Sequence, residues 1–201
     1  MSSETKTEAQ AQIPDNWDLA RRAIVPFLLN QPAAQEKYLG RMISTMAFQS
    51  LIWCDLDTGL MLGIDKGMLD VWQKKETEVL ECALRNFDAM LEGAQIEVMP
   101  DSGHKVAVVK LPATTLKANV LTSARLKQKV SPVIGWPIWA VAPCADFVLL
   151  FNDKNIIPNL GPTVYNEFMN APQPVSTEVF EITDEGVVAI GNYMPQMPEK
   201  Q

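Results

Sequence analysis

Between Pro137 and Phe151 the chain reads Pro-Ile-Trp-Ala-Val-Ala-Pro-Cys-Ala-Asp-Phe-Val-Leu-Leu-Phe, two apolar segments broken by a Pro-Cys-Ala-Asp corner. Short, nearly continuous apolar runs bounded by turn residues are the mark of buried strands. This chain must therefore build a sheet that hides both runs from water. A membrane is not the hiding place, because the longest uncharged stretch, Val130 to Ala145, is too short to cross a bilayer and holds Pro132, Pro137 and Pro143.

A chain of 201 residues with 47% apolar and 20% charged residues can bury one substantial core without a second domain. Its net charge of -7 disfavours nucleic acid as a partner. The three cysteines, Cys54, Cys82 and Cys144, are an odd number, far apart and without Cys-x-x-Cys spacing, and the polar start of the chain has no export signal. They read as reduced thiols of a cytoplasmic protein. Residues 1–14 and 193–201 read as flexible tails around a single domain at 15–192.

The periodicity predicts an α+β fold: one mixed or antiparallel sheet packed against helices on one side. After the turn and capping groups Pro14-Asp15-Asn16, the spacing of Trp17, Leu19, Ala20, Ile24, Phe27 and Leu28 suits an amphipathic helix. Tyr38 to Phe48 fits helix and strand alike. Leu51–Cys54 and Leu60–Ile64 flank Asp55-Leu56-Asp57-Thr58-Gly59 as a hairpin, and Met68 to Trp72 reads as a short helix. The best helix is Thr77 to Glu92, with Gly93 at its end. A second hairpin joins Ile96–Met99 to Lys105–Val109. Thr114 or Thr115 then caps a helix that carries Lys117, Arg125, Lys127 and Lys129, and Ser131-Pro132 is read as a connection to the apolar strands. A helix over Ile156 to Met169, with Pro158 and Pro162 at or before its first turn, and a hairpin of Thr177–Ile182 with Val187–Ile190 complete the chain.

This order of elements resembles an uncharacterised bacterial family typified by the protein YtpQ. The resemblance rests on Leu56-Asp57, an apolar strand and Asp65, on Ala83-x-x-Asn86, and on Ala140-Val141-Ala142-Pro143-x-x-Asp146-x-Val148-Leu149, and it covers about Arg41 to Ile190. It implies a mixed α+β fold and carries no activity, because the family has no established catalytic residues. The family's longer form begins with an N-terminal region that has no counterpart here.

Several residues bear chemistry. Asp55 and Asp57 match the Asp-x-Asp of phosphoryl-transferring aspartate enzymes, and Asp57-Thr58-Gly59 matches the Asp-Thr-Gly of aspartic proteases. A hairpin turn explains the same residues with fewer assumptions. His104, the single histidine, falls on a hairpin tip, so any pairing with Cys144 as nucleophile and base has no supporting motif. Asn86 and Asp146 stand beside apolar positions, where each can line a pocket or satisfy backbone groups. Lys117, Arg125 and Lys127 form a basic face that suits an acidic protein partner. Trp136 and Trp139 are three positions apart, so a regular strand sends them to opposite faces and one groove can use only one of them. No phosphate loop or metal-ligand spacing is present, so no cofactor or metal is expected.

Three functions compete on these grounds. The first is a non-enzymatic interaction or regulatory domain. The second is a small hydrolase or transferase using Asp55 and Asp57, and the third a small-molecule binding module whose pocket uses Asn86 and one of Trp136 and Trp139.

Overall fold

The computed structural model describes residues 12–55, 58–101 and 104–193. In chain order it contains α1 (Trp17–Ala20), β1 (Ile24–Leu29), β2 (Gly40–Met42), β3 (Phe48–Cys54), β4 (Met61–Gly63), α2 (Met68–Trp72) and α3 (Glu76–Leu91). There follow β5 (Gln95–Asp101), β6 (His104–Lys110), a 3-10 helix at Thr114–Thr122, α4 (Leu126–Ile134), β7 (Ile138–Cys144), β8 (Phe147–Phe151), α5 (Ile157–Asn170), β9 (Glu178–Thr183) and β10 (Gly186–Asn192). Two shorter 3-10 turns lie at Pro32–Glu36 and Lys154–Ile156.

The fold is α+β in one domain, and its strands form two antiparallel sheets. In the smaller sheet β3 is flanked by β1 on one side and by β2 and β4 on the other. The larger has the order β10-β9-β7-β8-β6-β5. The main core lies between the sheets. There Val25, Leu28 and Ile52 of the smaller sheet share one apolar cluster with Ala140, Leu150 and Phe180 of the larger, and Leu116, Leu121, Val130 and Ile134 fill the space between.

The two apolar runs behave as their composition demands. Ile138, Ala140, Val148 and Leu150 enter the main core, while Val141, Leu149 and Phe151 point to the opposite face and pack with Ile156 and Val164 near α5. A third cluster, with Ile24, Leu51, Trp72, Val79 and Ala83, lies between the smaller sheet and the first three helices. Helices therefore cover both outer faces, not one side. Each sheet is apolar on both faces, and one layer of helices leaves a face wet.

Several local expectations change. The helix at Trp17 ends at Ala20, although Asn16 caps it as expected by accepting the Asp18 and Leu19 N–H groups. Ile24 to Leu29 is a strand, because as part of two clusters it buries both faces and its three-and-four spacing is incidental. Pro26 fits there because β1 is an edge strand that needs no donor on its free side. The helix expected from Thr114 to Lys129 is broken at Ser123, whose backbone is extended and whose hydroxyl binds Asp88. Neither threonine caps it, Ala113 standing at the cap position. Ser131-Pro132 is part of α4, and Pro162 lies inside α5, beyond its first turn.

The ordered domain reaches slightly past its expected limits. The Pro14 carbonyl accepts the Trp72 indole N–H, and the Tyr193 hydroxyl donates to the Ile157 carbonyl. The remainder of both expected tails, 1–11 and 194–201, lies outside the described residues.

Two polar clamps join the sheets. Glu178, 4% exposed at the start of β9, accepts hydroxyls from Ser44, Thr45 and Ser176. Asn30, after β1, donates to the Met46 carbonyl in the turn before β3 and to the Val175 carbonyl before β9, each at 3.1 Å.

Candidate functional site

A cavity of about 480 Å³ opens where the sheets meet. One wall is Arg41-Met42-Ile43, at the edge of the smaller sheet. A second is Leu121 to Ala124 with Lys127, and the third is Trp136 with the β9–β10 hairpin. Its lining mixes apolar side chains with Arg41, Thr122, Ser123, Lys127, Thr183 and Asp184.

Local folding explains the walls. The extended backbone at Ser123 turns the chain between the 3-10 helix and α4, so four consecutive residues face the cleft instead of one side of a helix. At the hairpin, Gly186 has φ 130°, a geometry that strains other L residues, and the Thr183 hydroxyl accepts the Glu185 N–H. That turn presents Asp184. Lys127 Nζ donates to both Asp184 carboxylate oxygens at 2.8 and 2.9 Å, the Trp136 indole N–H donates to Oδ1 at 3.1 Å, and the ammonium stands 5.7 Å from the centre of the Trp136 ring. The hydrogen bond from Lys127 is the main reason the Asp184 carboxyl sits below the usual carboxylate range.

Arg41 enters from the other side. It is paired across the ladder with Gln49, and its Nε–H donates to Gln49 Oε1 at 3.0 Å. Gln49 is fully buried, and its amide N–H donates to Thr122 Oγ1 at 2.6 Å. The Thr122 hydroxyl donates in turn to the Asn119 carbonyl at 3.1 Å. Each donor meets an acceptor, so the network sets the Gln49 amide orientation.

Trp139 lies on the opposite face of the larger sheet and makes a parallel arrangement. Its indole donates to Glu181 at 3.2 Å, and Lys154 stands 4.7 Å over the ring and 3.6 Å from Glu181. Only Trp136 lines the cleft.

The other sequence candidates are dispersed. Asp55 closes its own turn: its carbonyl accepts the Gly59 N–H at 2.7 Å, and Gly59 has φ 73°. Asp57 lies outside the described residues. Asn86 spends its amide donors on the Arg21 and Ile24 carbonyls at 2.7 and 2.8 Å, tying α3 to the corner before β1. It lines a separate cavity of about 220 Å³ with Cys54, Met90 and Leu116. Asp146, exposed in the β7–β8 turn, accepts from the Cys144 thiol at 3.1 Å and borders neither cavity.

The basic face is also divided. Lys117 belongs to the 3-10 helix, Arg125 lies 3.7 Å from Glu92, Lys127 is paired with Asp184, and Lys129 donates to the Glu92 and Ala94 carbonyls.

The nucleophile candidates are quiet. All three cysteines are buried, and burial is the main cause that raises each thiol, Cys144 to about 12. His104 binds Asp153 at 2.6 Å. Cys144 pairs with Phe147 at one end of β8, whereas His104 precedes the residue opposite Phe151 at the other, so His104 and Cys144 do not form a pair. No group of His, Cys, Asp and Glu among the described residues could hold a metal ion.

Sequence reasoning missed Arg41, Gln49, Thr122 and Asp184. Asp184 was legible as a turn residue, but its partners lie 48 and 57 residues away in the chain. The chain matches no protein-family model, curated protein or solved structure.

Proposed function

We propose that this chain is a non-enzymatic binding domain that holds a small molecule in the cleft beside Trp136. One observation carries the reading: a concave site of about 480 Å³ that mixes apolar side chains and the Trp136 ring with Arg41, Lys127 and Asp184, within the roughly 300–1,000 Å³ typical of ligand sites. The raised thiols and the turn role of Asp55 favour binding over catalysis. The test is a fragment titration followed by NMR of the five tryptophan indoles, with Trp136 assigned through Trp136→Phe. Shifts concentrated at Trp136 and lost on Ala124→Phe, which adds bulk at an exposed position lining the cleft, support it. Shifts confined to the other four indoles, or none at all, defeat it.

A protein partner is the second reading, and a different surface favours it. The edge strand β10 leaves Val188 and Ile190 61% and 46% exposed, with no charged residue from Gly186 to Asn192. A photo-crosslinker in place of Val188 captures such a partner in cell extract, and equal labelling from an exposed control position removes the reading. An acidic partner on Lys117, Arg125 and Lys127 has less support, since those residues lie apart and two already face carboxylates.

A further inference from the structure

We propose that the cleft selects a monoanionic carboxylate attached to an apolar body, with the Arg41 guanidinium receiving the carboxylate. The inference rests on reading the cleft as a small-molecule site and assigns that site its chemistry.

The first ground is how Arg41 is held. A guanidinium has five N–H donors, and Gln49 takes one of them, at Nε. Gln49 is the sole hydrogen-bond or ion-pair partner of Arg41 among the described residues. The four remaining donors include the two-pronged edge formed by the terminal nitrogens, which matches the two oxygens of a carboxylate. The Gln49 side chain that steadies the guanidinium is itself fully buried and anchored through Thr122, so the residue is oriented before any ligand arrives.

The second ground is charge. Lys127 and Asp184 neutralise each other at close range, which leaves Arg41 as the unpaired charge among the lining residues. The cleft thus carries one net positive charge in a chain whose net charge is -7. One positive charge matches a monoanion, while the surrounding negative field opposes a dianion such as a phosphate monoester. The third ground is the wall. Met42, Ile43 and Val187, with the Trp136 ring, offer apolar surface to the rest of the ligand.

The test uses four probes with a phenyl body and different heads: 3-phenylpropionate, 3-phenylpropanol, 3-phenylpropylammonium and phenyl phosphate. Fragments of this size bind in the millimolar range. Binding is read from the Trp136 indole and the Arg41 Nε–H in NMR titrations of the full chain. The carboxylate should bind about tenfold more tightly than the alcohol, as one charge-assisted interaction allows. Arg41→Gln should erase that preference by bringing carboxylate binding down to that of the alcohol in the same variant, and Arg41→Lys should restore part of it. The spectrum of each variant reports its folding. If the alcohol equals the carboxylate, or Arg41→Gln keeps the preference, the carboxylate inference is wrong while the cleft survives as a site. Tighter binding of phenyl phosphate or of the ammonium likewise overturns it. If no probe moves Trp136, the cleft reading falls as well.

Discussion

Trp139 and Glu181 are direct partners across the β7–β9 ladder, and the indole N–H of the first donates to the carboxylate of the second at 3.2 Å. Extending that register by three residues sets Trp136 opposite Asp184, where the same bond recurs at 3.1 Å on the other face. A slip of one residue breaks both bonds together, so the two tryptophans define the register from opposite sides of one sheet.

The Trp136 indole should report the titration of Asp184. The folded Asp184 carboxyl lies below its ordinary range, chiefly through the hydrogen bond from Lys127. Its contribution to stability is therefore complete above the unfolded value near ~3.9 and is lost as pH falls through the lower folded value. In NMR the indole resonance should inflect below the ordinary aspartate range. Lys127→Ala should move the inflection upward, and an unmoved inflection would show that Lys127 does not hold the charge.

Phe87→Ala should cost about 3–5 kcal/mol in urea unfolding. Phe87 is fully buried in the main core, whereas Val79 and Ala83, earlier on α3, belong to the cluster under the first helices. A loss below about 1 kcal/mol would mean that the site collapses around the missing ring.

Cys144 should resist iodoacetamide at pH 8 in the folded protein and react fully in guanidinium chloride. With its thiol raised to about 12, only about one part in ten thousand is thiolate at that pH, and the side chain is 3% exposed. Rapid labelling of the native chain at Cys144, read by mass spectrometry, is the contrary result.

Glu178→Ala should destabilise the fold by about 3 kcal/mol, because it removes the acceptor shared by three hydroxyls, that of Ser176 fully buried. Glu178→Gln retains one carbonyl acceptor and should cost less. Equal losses in denaturant titrations would show that the charge, not the acceptor geometry, is what matters.

How far these features were legible depends on where their causes lie. The β7–β8 corner, the hairpin at Ile96–Val109 and the long helix α3 follow from neighbouring residues alone, and each appears close to its expected place. Ile24 to Leu29 was misread because helical spacing and a strand buried on both faces give similar patterns over six residues. The break at Ser123 depends on Asp88, and the bond between Arg41 and Gln49 depends on the β2–β3 register. Such long-range causes leave no local pattern. The odd spacing of Trp136 and Trp139 did forecast their opposite faces, although Glu181 and Asp184 came to light only with the ladder.

The bonds from Asn30 and Glu178 have a kinetic consequence. They staple the turn after β2 to the chain entering β9, beside the Arg41 wall and next to the sheet that carries the opposite wall. The two walls therefore cannot fold inward over a guest like a closing hand. A ligand enters a receptacle whose shape precedes it, so association should follow a single exponential whose rate rises linearly with ligand concentration, without the plateau that a slow rearrangement imposes.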